Sequence, residues 1–393
     1  MLVIEDADEL DELDLGAASA PPPPRATTAG FAASRPNVRM GFGFGAAGQP
    51  ESLSLSEARR ARALLFGVGR GWGGAPWRQG LYFSDVPGLG YGLVQREGGP
   101  CGALAALQAH VLRELGAGGA GGAALAAGEV PAAQQRAALA AALVAALTRA
   151  GGGGVVVVSS PNAFDGGAPM DSVLQSAHAA RCATRDEALA AVEAALDGWA
   201  APQGHGLLLF VLSAVLSRGA EAIAGDMDDP AATLVAAHGY CTQELVNLIT
   251  VGHAASGVHN GQREVDMGGS DGAVVMGGIK ERAGIGFLTL FEYFKYVEVG
   301  SNLKMPKHPV WVVCSESHFT VLFASDTRAA RGALPCELRY YDGLARQDAP
   351  IVLTLERHPE GAMPPEDAPP LERVLSTRWG ALCVGWNGTD PIL

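Results

Sequence analysis

Charge is scarce in this chain of 393 residues: only 18% are Asp, Glu, Lys or Arg, and 28 basic residues face 41 acidic ones for a net charge of −13. That shortage of cations excludes a general nucleic-acid binder, whose affinity rests on Lys and Arg neutralising phosphates. Paired cysteines are missing too. The six, at 101, 182, 241, 314, 336 and 383, form no CxxC motif, which excludes a disulfide scaffold or a zinc cage and fits reduced thiols in a cytosolic or nuclear compartment. Long apolar runs are absent: Leu207–Leu216 and Ala137–Leu147 are the longest, short of the ~20 residues that span a bilayer. The start has no basic n-region of a signal peptide, so a soluble intracellular protein without a membrane partner is expected. The 53 Gly and 24 Pro follow no Gly-X-Y period, which excludes collagen and points to low-complexity segments. With 48% hydrophobic residues the chain is nevertheless too apolar to be wholly disordered.

The low-complexity sequence is localised. Residues 1–52 combine acids between Glu5 and Asp14, a PPPP run at 21–24 and Gly/Ala/Ser-rich sequence, and they are expected to form a disordered leader because they bury too little apolar surface to offset ordering entropy. The folded part, 53–393, then opens with a short helix over Ser54–Phe66. A Gly/Ala-rich stretch, 117–154, contains a linker and an Ala-rich helix over Ala132–Ala150, started by Pro131, and releases the chain into a buried VVVV strand. Helical spacing recurs over Glu187–Trp199 and around Leu245 and Leu248, while Leu207–Ser217 is a buried apolar helix or strand. Ile285–Val297 is amphipathic and aromatic. After it the pattern turns to strands at Val310–Cys314, Phe319–Phe323, Leu338–Tyr341 and Ile351–Leu355. Helices first and a mainly antiparallel sheet afterwards predict an α+β fold rather than a doubly wound one.

Chemistry concentrates at Gly98-Gly99-Pro100-Cys101-Gly102, a turn feeding an amphipathic helix with Leu104, Leu107, Val111, Leu112 and Leu115 on its apolar positions. A thiol at a helix N-terminus sits among unpaired backbone N–H groups and the positive end of the macrodipole, which favours the nucleophilic thiolate. Cys101 is therefore a candidate nucleophile, against the plainer reading of a buried turn cysteine. Its candidate base is His318, at the start of an apolar strand; a helix-borne Cys facing a strand-borne His, in that chain order, is the layout of papain-like hydrolases. Gln95 could donate to an oxyanion beside the Cys101 N–H, or be a polar loop residue. Asp342, in RYYDGL, could orient the His318 ring or open an Asp-Gly turn. The Gly-rich Met267–Gly278 lacks the GK[ST] of a phosphate loop, and Asp226, Asp228 and Asp229 lack the Gly and distal Glu of a calcium loop, so both are expected to be structural. Asn387-Gly388-Thr389 is expected to be a polar turn. Among the other cysteines Cys314, leading to His318, is the one worth following.

Several longer stretches resemble one family, the MINDY deubiquitinases, and within it the branch of the third and fourth paralogues: GGPCGALAALQAHVL, AHGYCTQELVNLITVG, IGFLTLFEYF, HPVWVVCSESHFTVLF, YYDGLA and WNGTDPIL. The resemblance implies a papain-like cysteine protease that cleaves isopeptide bonds in polyubiquitin with a preference for lysine-48-linked chains, needing no metal or cofactor. It places the nucleophile on Cys101, the base on His318 and the oxyanion donor on Gln95; Asp342 stays a geometric expectation. Gly16 interrupts any ubiquitin-interacting motif within Glu5–Ser19, and 117–154 looks like an expanded loop of the family. Ubiquitin presents a basic surface and an apolar patch, which suit an acidic partner. Two alternatives stand beside this reading: a weakly active module that binds polyubiquitin, and an enzyme for a ubiquitin-like modifier.

Overall fold

A computed structural model describes residues 50–116, 122–266, 273–344 and 347–391. The leader thus lies outside the described residues except for its last three, which form a strand, β1 (Pro50–Ser52), paired with His178, Ala179 and Ala180 further on. There follow α1 (Leu55–Phe66), α2 (Cys101–Glu114), α3 (Gly122–Ala127), α4 (Ala132–Gly151), β2 (Val155–Ser159), α5 (Met170–Gln175), β3 (His178–Cys182), α6 (Arg185–Ala200), α7 (Gly206–Arg218), α8 (Ala220–Asp226) and α9 (Gln243–Val251). The second half adds β4 (Gln262–Asp266), β5 (Ala273–Gly277), β6 (Gly286–Thr289), α10 (Leu290–Tyr293), α11 (Ser301–Lys304), β7 (Val310–Ser315), β8 (His318–Phe323), β9 (Cys336–Tyr341), β10 (Ile351–Arg357), α12 (Pro370–Trp379) and β11 (Leu382–Gly385).

The expected α+β arrangement is present, with two refinements. The main sheet has the order β11-β10-β9-β8-β7-β6 and is mixed, because β6 joins β7 in parallel while every other pairing in it is antiparallel. A second sheet, β1-β3-β2, lies within the helical half. The expected helical pattern of Ile285–Val297 resolves into β6 and the single turn α10. Its Phe287 and Leu288 are both buried, on opposite faces of the sheet, and a continuous apolar run of that kind carries no period to separate strand from helix.

Local chemistry explains the helices that hold the site. Thr184 caps α6 in a reciprocal pair with Glu187, satisfying two otherwise orphaned N–H groups. The Ala-rich α4 is no peripheral loop: Leu139, Leu143 and Leu147 are buried, and it packs on α2, α6, α7 and α9, its small residues allowing close approach on several sides. Residues 117–121 of the Gly/Ala stretch lie outside the described set. Among the described residues no single helix is long and apolar enough to cross a membrane; the bent pair α7 and α8 turns by 83°, and α7 is buried along nearly its whole length.

The acids and turns expected to be structural are so. Asp226 pairs with Arg218 at 2.6 Å, Asp228 accepts from the Gly277 N–H at 2.7 Å and Asp229 from the Ala231 N–H at 2.9 Å. Of Met267–Gly278, residues 267–272 lie outside the described set and the rest belongs to β5 and its end. Asn387 donates to the Val352 carbonyl at 2.9 Å, anchoring the C-terminal turn to β10.

Candidate active site

The turn before α2 explains why Cys101 opens a helix. Gly99 has φ +121, a conformation closed to L side chains, and Pro100 follows with its φ fixed at −83 as the N-cap. Gly102 is equally constrained: a Cβ there would lie 2.7 Å from the Cβ of Cys241, so only glycine lets α2 approach the segment entering α9. Cys101 is thereby placed at the first helical position, 3% exposed. Its Sγ lies 3.7 Å from the Ser317 carbonyl and 3.9 Å from that of Gly99.

The sheet delivers the imidazole. Residue Val321 of β8 pairs with Tyr341 of β9, so the antiparallel register brings His318, at the start of β8, to the turn that begins at Asp342. There His318 Nε2 donates to Asp342 Oδ2 at 2.7 Å, while Asp342 Oδ1 accepts from the Leu344 N–H at 2.9 Å. One Asp342 oxygen thus meets the ring and the other accepts a bond within the Asp-Gly turn. With Nε2 committed to the carboxylate, Nδ1 is the nitrogen left to face a thiol. Burial by itself would lower the His318 pKa, but hydrogen bonds to Asp342 and Cys101 and their charges outweigh it and lift the group from 6.5 to about 10. The arrangement therefore favours an imidazolium beside Cys101.

Gln95 sits on a segment clamped between helix and sheet. Gln108 of α2 accepts from the Leu93 N–H at 2.5 Å and donates to the Tyr91 carbonyl at 2.9 Å; Tyr341 donates to the Leu93 carbonyl at 3.0 Å, and the Gln95 N–H to that of Gly343 at 3.0 Å. Gln95 and Cys101 line one cavity of about 10 Å³, roughly the room of one water. The Gln95 side-chain amide itself donates to the Glu97 carbonyl at 2.7 Å.

Sequence reasoning followed Cys314 and passed over Cys241, yet both flank the site. Burial raises both thiols, with Cys101 adding to the effect, Cys314 to about 12. Cys241 Sγ also accepts from the Ala103 N–H at 3.3 Å. These two are protonated packing groups around Cys101. The second omission is a cleft of about 940 Å³ that begins at Cys241, Cys314 and Ser317 and is walled by Phe291, Tyr296 and Arg263. Its signal in the sequence was the aromatic density of Leu290–Val297. Among the described residues no group of three or more His, Cys, Asp or Glu is placed to hold a metal ion.

Comparison with known proteins identifies the family. The profile described as "Deubiquitinating enzyme MINDY-3/4, conserved domain" matches residues 62–388. The chain is 39% identical over 357 residues to the probable ubiquitin carboxyl-terminal hydrolase MINDY-4 of Bos taurus, covering 87% of this chain and 46% of that protein. It is 39% identical over 354 residues to the Homo sapiens protein of the same name, again 87% of this chain and 46% of the relative. With the ubiquitin carboxyl-terminal hydrolase MINDY-3 of Homo sapiens it shares 32% identity over 286 residues, 66% of this chain and 62% of the relative. The chain thus spans about half the length of the MINDY-4 relatives it matches. No solved structure matches it. A profile match over most of the chain establishes that this protein belongs to the MINDY-3/4 family of deubiquitinating enzymes.

Proposed function

We propose that the chain is a papain-like cysteine isopeptidase acting on polyubiquitin and ubiquitinated proteins, with a preference for lysine-48-linked chains. One observation carries the reading: His318 is held by Asp342 at 2.7 Å, and interaction with Asp342 and with the thiol at the head of α2 raises its pKa. In this mechanism the Cys101 proton resides on His318 and the thiolate attacks the carbonyl carbon of ubiquitin's C-terminal glycine. The oxyanion enters the small cavity between Gln95 and Cys101 and accepts from the Cys101 N–H and the Gln95 amide. The imidazolium then gives its proton to the departing lysine amine, leaving a thioester; a water loses a proton to His318, adds to the thioester and releases ubiquitin and the thiol. No metal or organic cofactor takes part in these steps.

The test is cleavage of lysine-48-linked beside lysine-63-linked polyubiquitin by wild type and by Cys101→Ala. Trimming of lysine-48-linked chains by wild type alone supports the reading; unchanged cleavage by the variant would remove Cys101 as nucleophile. The hydrogen bond from Gln95 to Glu97 favours a second reading, a polyubiquitin-binding module of low turnover, because that amide must turn to meet an oxyanion. An inert wild type that still retains chains would carry it. Labelling by electrophilic probes built on ubiquitin and on its relatives separates ubiquitin from a ubiquitin-like modifier as the substrate.

A further inference from the structure

A buried amide sits where α2 needs only apolar residues. Gln108 follows Cys101 by about two helical turns and lies on the same face of the helix; it is 2% exposed, beside the buried Leu104, Leu107, Val111 and Leu112. Burying such a group costs stability unless both of its ends are bonded. Both are, and to the same short piece of main chain: Oε1 accepts from the Leu93 N–H at 2.5 Å and Nε2 donates to the Tyr91 carbonyl at 2.9 Å. These partners fix which way the amide faces, because an N–H can only donate and a carbonyl only accept.

The main chain that Gln108 grips leads straight to Gln95. Leu93 is held at both of its backbone groups, the N–H by Gln108 and the carbonyl by the Tyr341 hydroxyl at 3.0 Å. Two residues on, the Gln95 N–H donates to the Gly343 carbonyl at 3.0 Å. Tyr341 and Gly343 flank Asp342, the partner of His318. The segment is therefore referenced on one side to the helix that Cys101 heads and on the other to the turn that holds the imidazole. Gln108 is its link to the nucleophile's helix, and it lines the same small cavity as Gln95 and Cys101.

We propose that Gln108 is a positioning residue for the reaction: by tying Tyr91 and Leu93 to α2 it sets the distance between the Gln95 amide and Cys101. The inference rests on the isopeptidase reading above, with Gln95 as oxyanion donor. Such a donor lowers the barrier only when its place is fixed before charge develops, and a displacement of about 1 Å costs about 10²-fold. Cys101 keeps its own place without Gln108, because the turn at Pro100 and the contact of α2 with Cys241 hold the head of the helix independently. Loss of Gln108 therefore separates donor from nucleophile and leaves the nucleophile where it is.

The test is a double-mutant cycle on Gln95 and Gln108 with lysine-48-linked diubiquitin, read as kcat and KM. Gln108→Met keeps the length of the side chain and removes both bonds; kcat should fall about 10- to 100-fold with KM within about twofold. In a Gln95→Ala background, where the donor is already gone, the same change should lower kcat by no more than about twofold. Alkylation of Cys101 by iodoacetamide, a displacement that forms no oxyanion, is followed on its peptide by mass spectrometry and should keep the wild-type rate. Tyr341→Phe deletes one hydroxyl and leaves the ring packed, so it repeats the cycle should Gln108→Met melt early, with kcat lower by about fivefold and only while Gln95 is present. An unchanged kcat, equal losses with and without Gln95, or alkylation slowed as much as cleavage overturns the proposal while cleavage itself still stands. A Gln95→Ala variant as fast as wild type removes the oxyanion donor, and a wild type inert on the diubiquitin removes the isopeptidase reading; either takes the proposal with it.

Discussion

The two faces of the main sheet use the same strands for different ends. Alternate residues Val310, Val312, Val321, Phe323 and Tyr341 belong to a core shared with the helices and with Cys101 itself, whereas Trp311, Val313, Leu322, Leu338 and Tyr340 pack into a second core with Leu371, Val374 and Trp379 of α12. None of the four candidate catalytic residues is in the second core. His318 and Asp342 stand where β8 begins and β9 ends, at the edge where both cores stop. The first core thus fixes where the sulfur is, and the second holds the two strands whose register brings imidazole and carboxylate together. The candidate chemistry and the second core thus rest on different residues less than ten positions apart on neighbouring strands.

Substitutions can break that separation, the largest effect first. His318→Ala removes the proposed base from a partly buried position; kcat/KM should fall by about 10³ or more, far beyond what the lost pairing with Asp342 takes from the folded fraction. Trp311→Ala is the converse. Its ring is fully buried, 5.4 Å from Trp379, and its indole donates to the Lys304 carbonyl at 3.1 Å, so about 3–5 kcal/mol of stability should be lost in denaturant unfolding. The folded fraction should retain its kcat, and a comparable loss of kcat would show that the second core reaches the chemistry. Gln95→Ala then tests the cavity shared with Cys101: about 10² in kcat with little change in KM is expected if its amide reaches the oxyanion, and an unchanged kcat would leave it as a clamp on Glu97.

Much of this was legible from local chemistry. GGPCG announced a turn into a helix because glycine reaches backbone states closed to other residues and proline fixes its φ, and the nearly continuous apolar runs around Val312 and Val321 announced strands. Other parts depend on partners far away in sequence. Pro50–Ser52 has no apolar pattern and is a strand only because β3 supplies an edge, where a leading proline is tolerated. The role of Cys241 follows from its distance to Gly102, not from its neighbours. Asp342 illustrates the boundary between the two: Asp-Gly signalled a turn, but the bond to His318 exists only through the pairing of β8 with β9.

Asp342→Asn is expected to give the smallest effect and the sharpest distinction between holding a ring and merely shaping a turn. The Leu344 N–H can still find an amide oxygen, so the turn survives, but the carboxylate charge that offsets burial of the ring is gone. With that charge the His318 pKa stands at about 10; without it burial, which acts downward, weighs more, and the pKa falls. Loss of the imidazolium proton sets the alkaline limb of kcat/KM in the proposed mechanism, so this limb should move to lower pH, with a loss of about 10- to 100-fold at the optimum as for other partners that orient a working imidazole. Stability has its own sign. A folded-state pKa raised above 6.5 contributes stability that is complete below that value and disappears as pH rises through about 10. Wild type should therefore exceed the variant in melting temperature at about pH 6, and the gap should close as the pH passes 10. A gap independent of pH, with the alkaline limb unmoved, would mean that Asp342 serves the turn and that His318 is held in place by the strands alone.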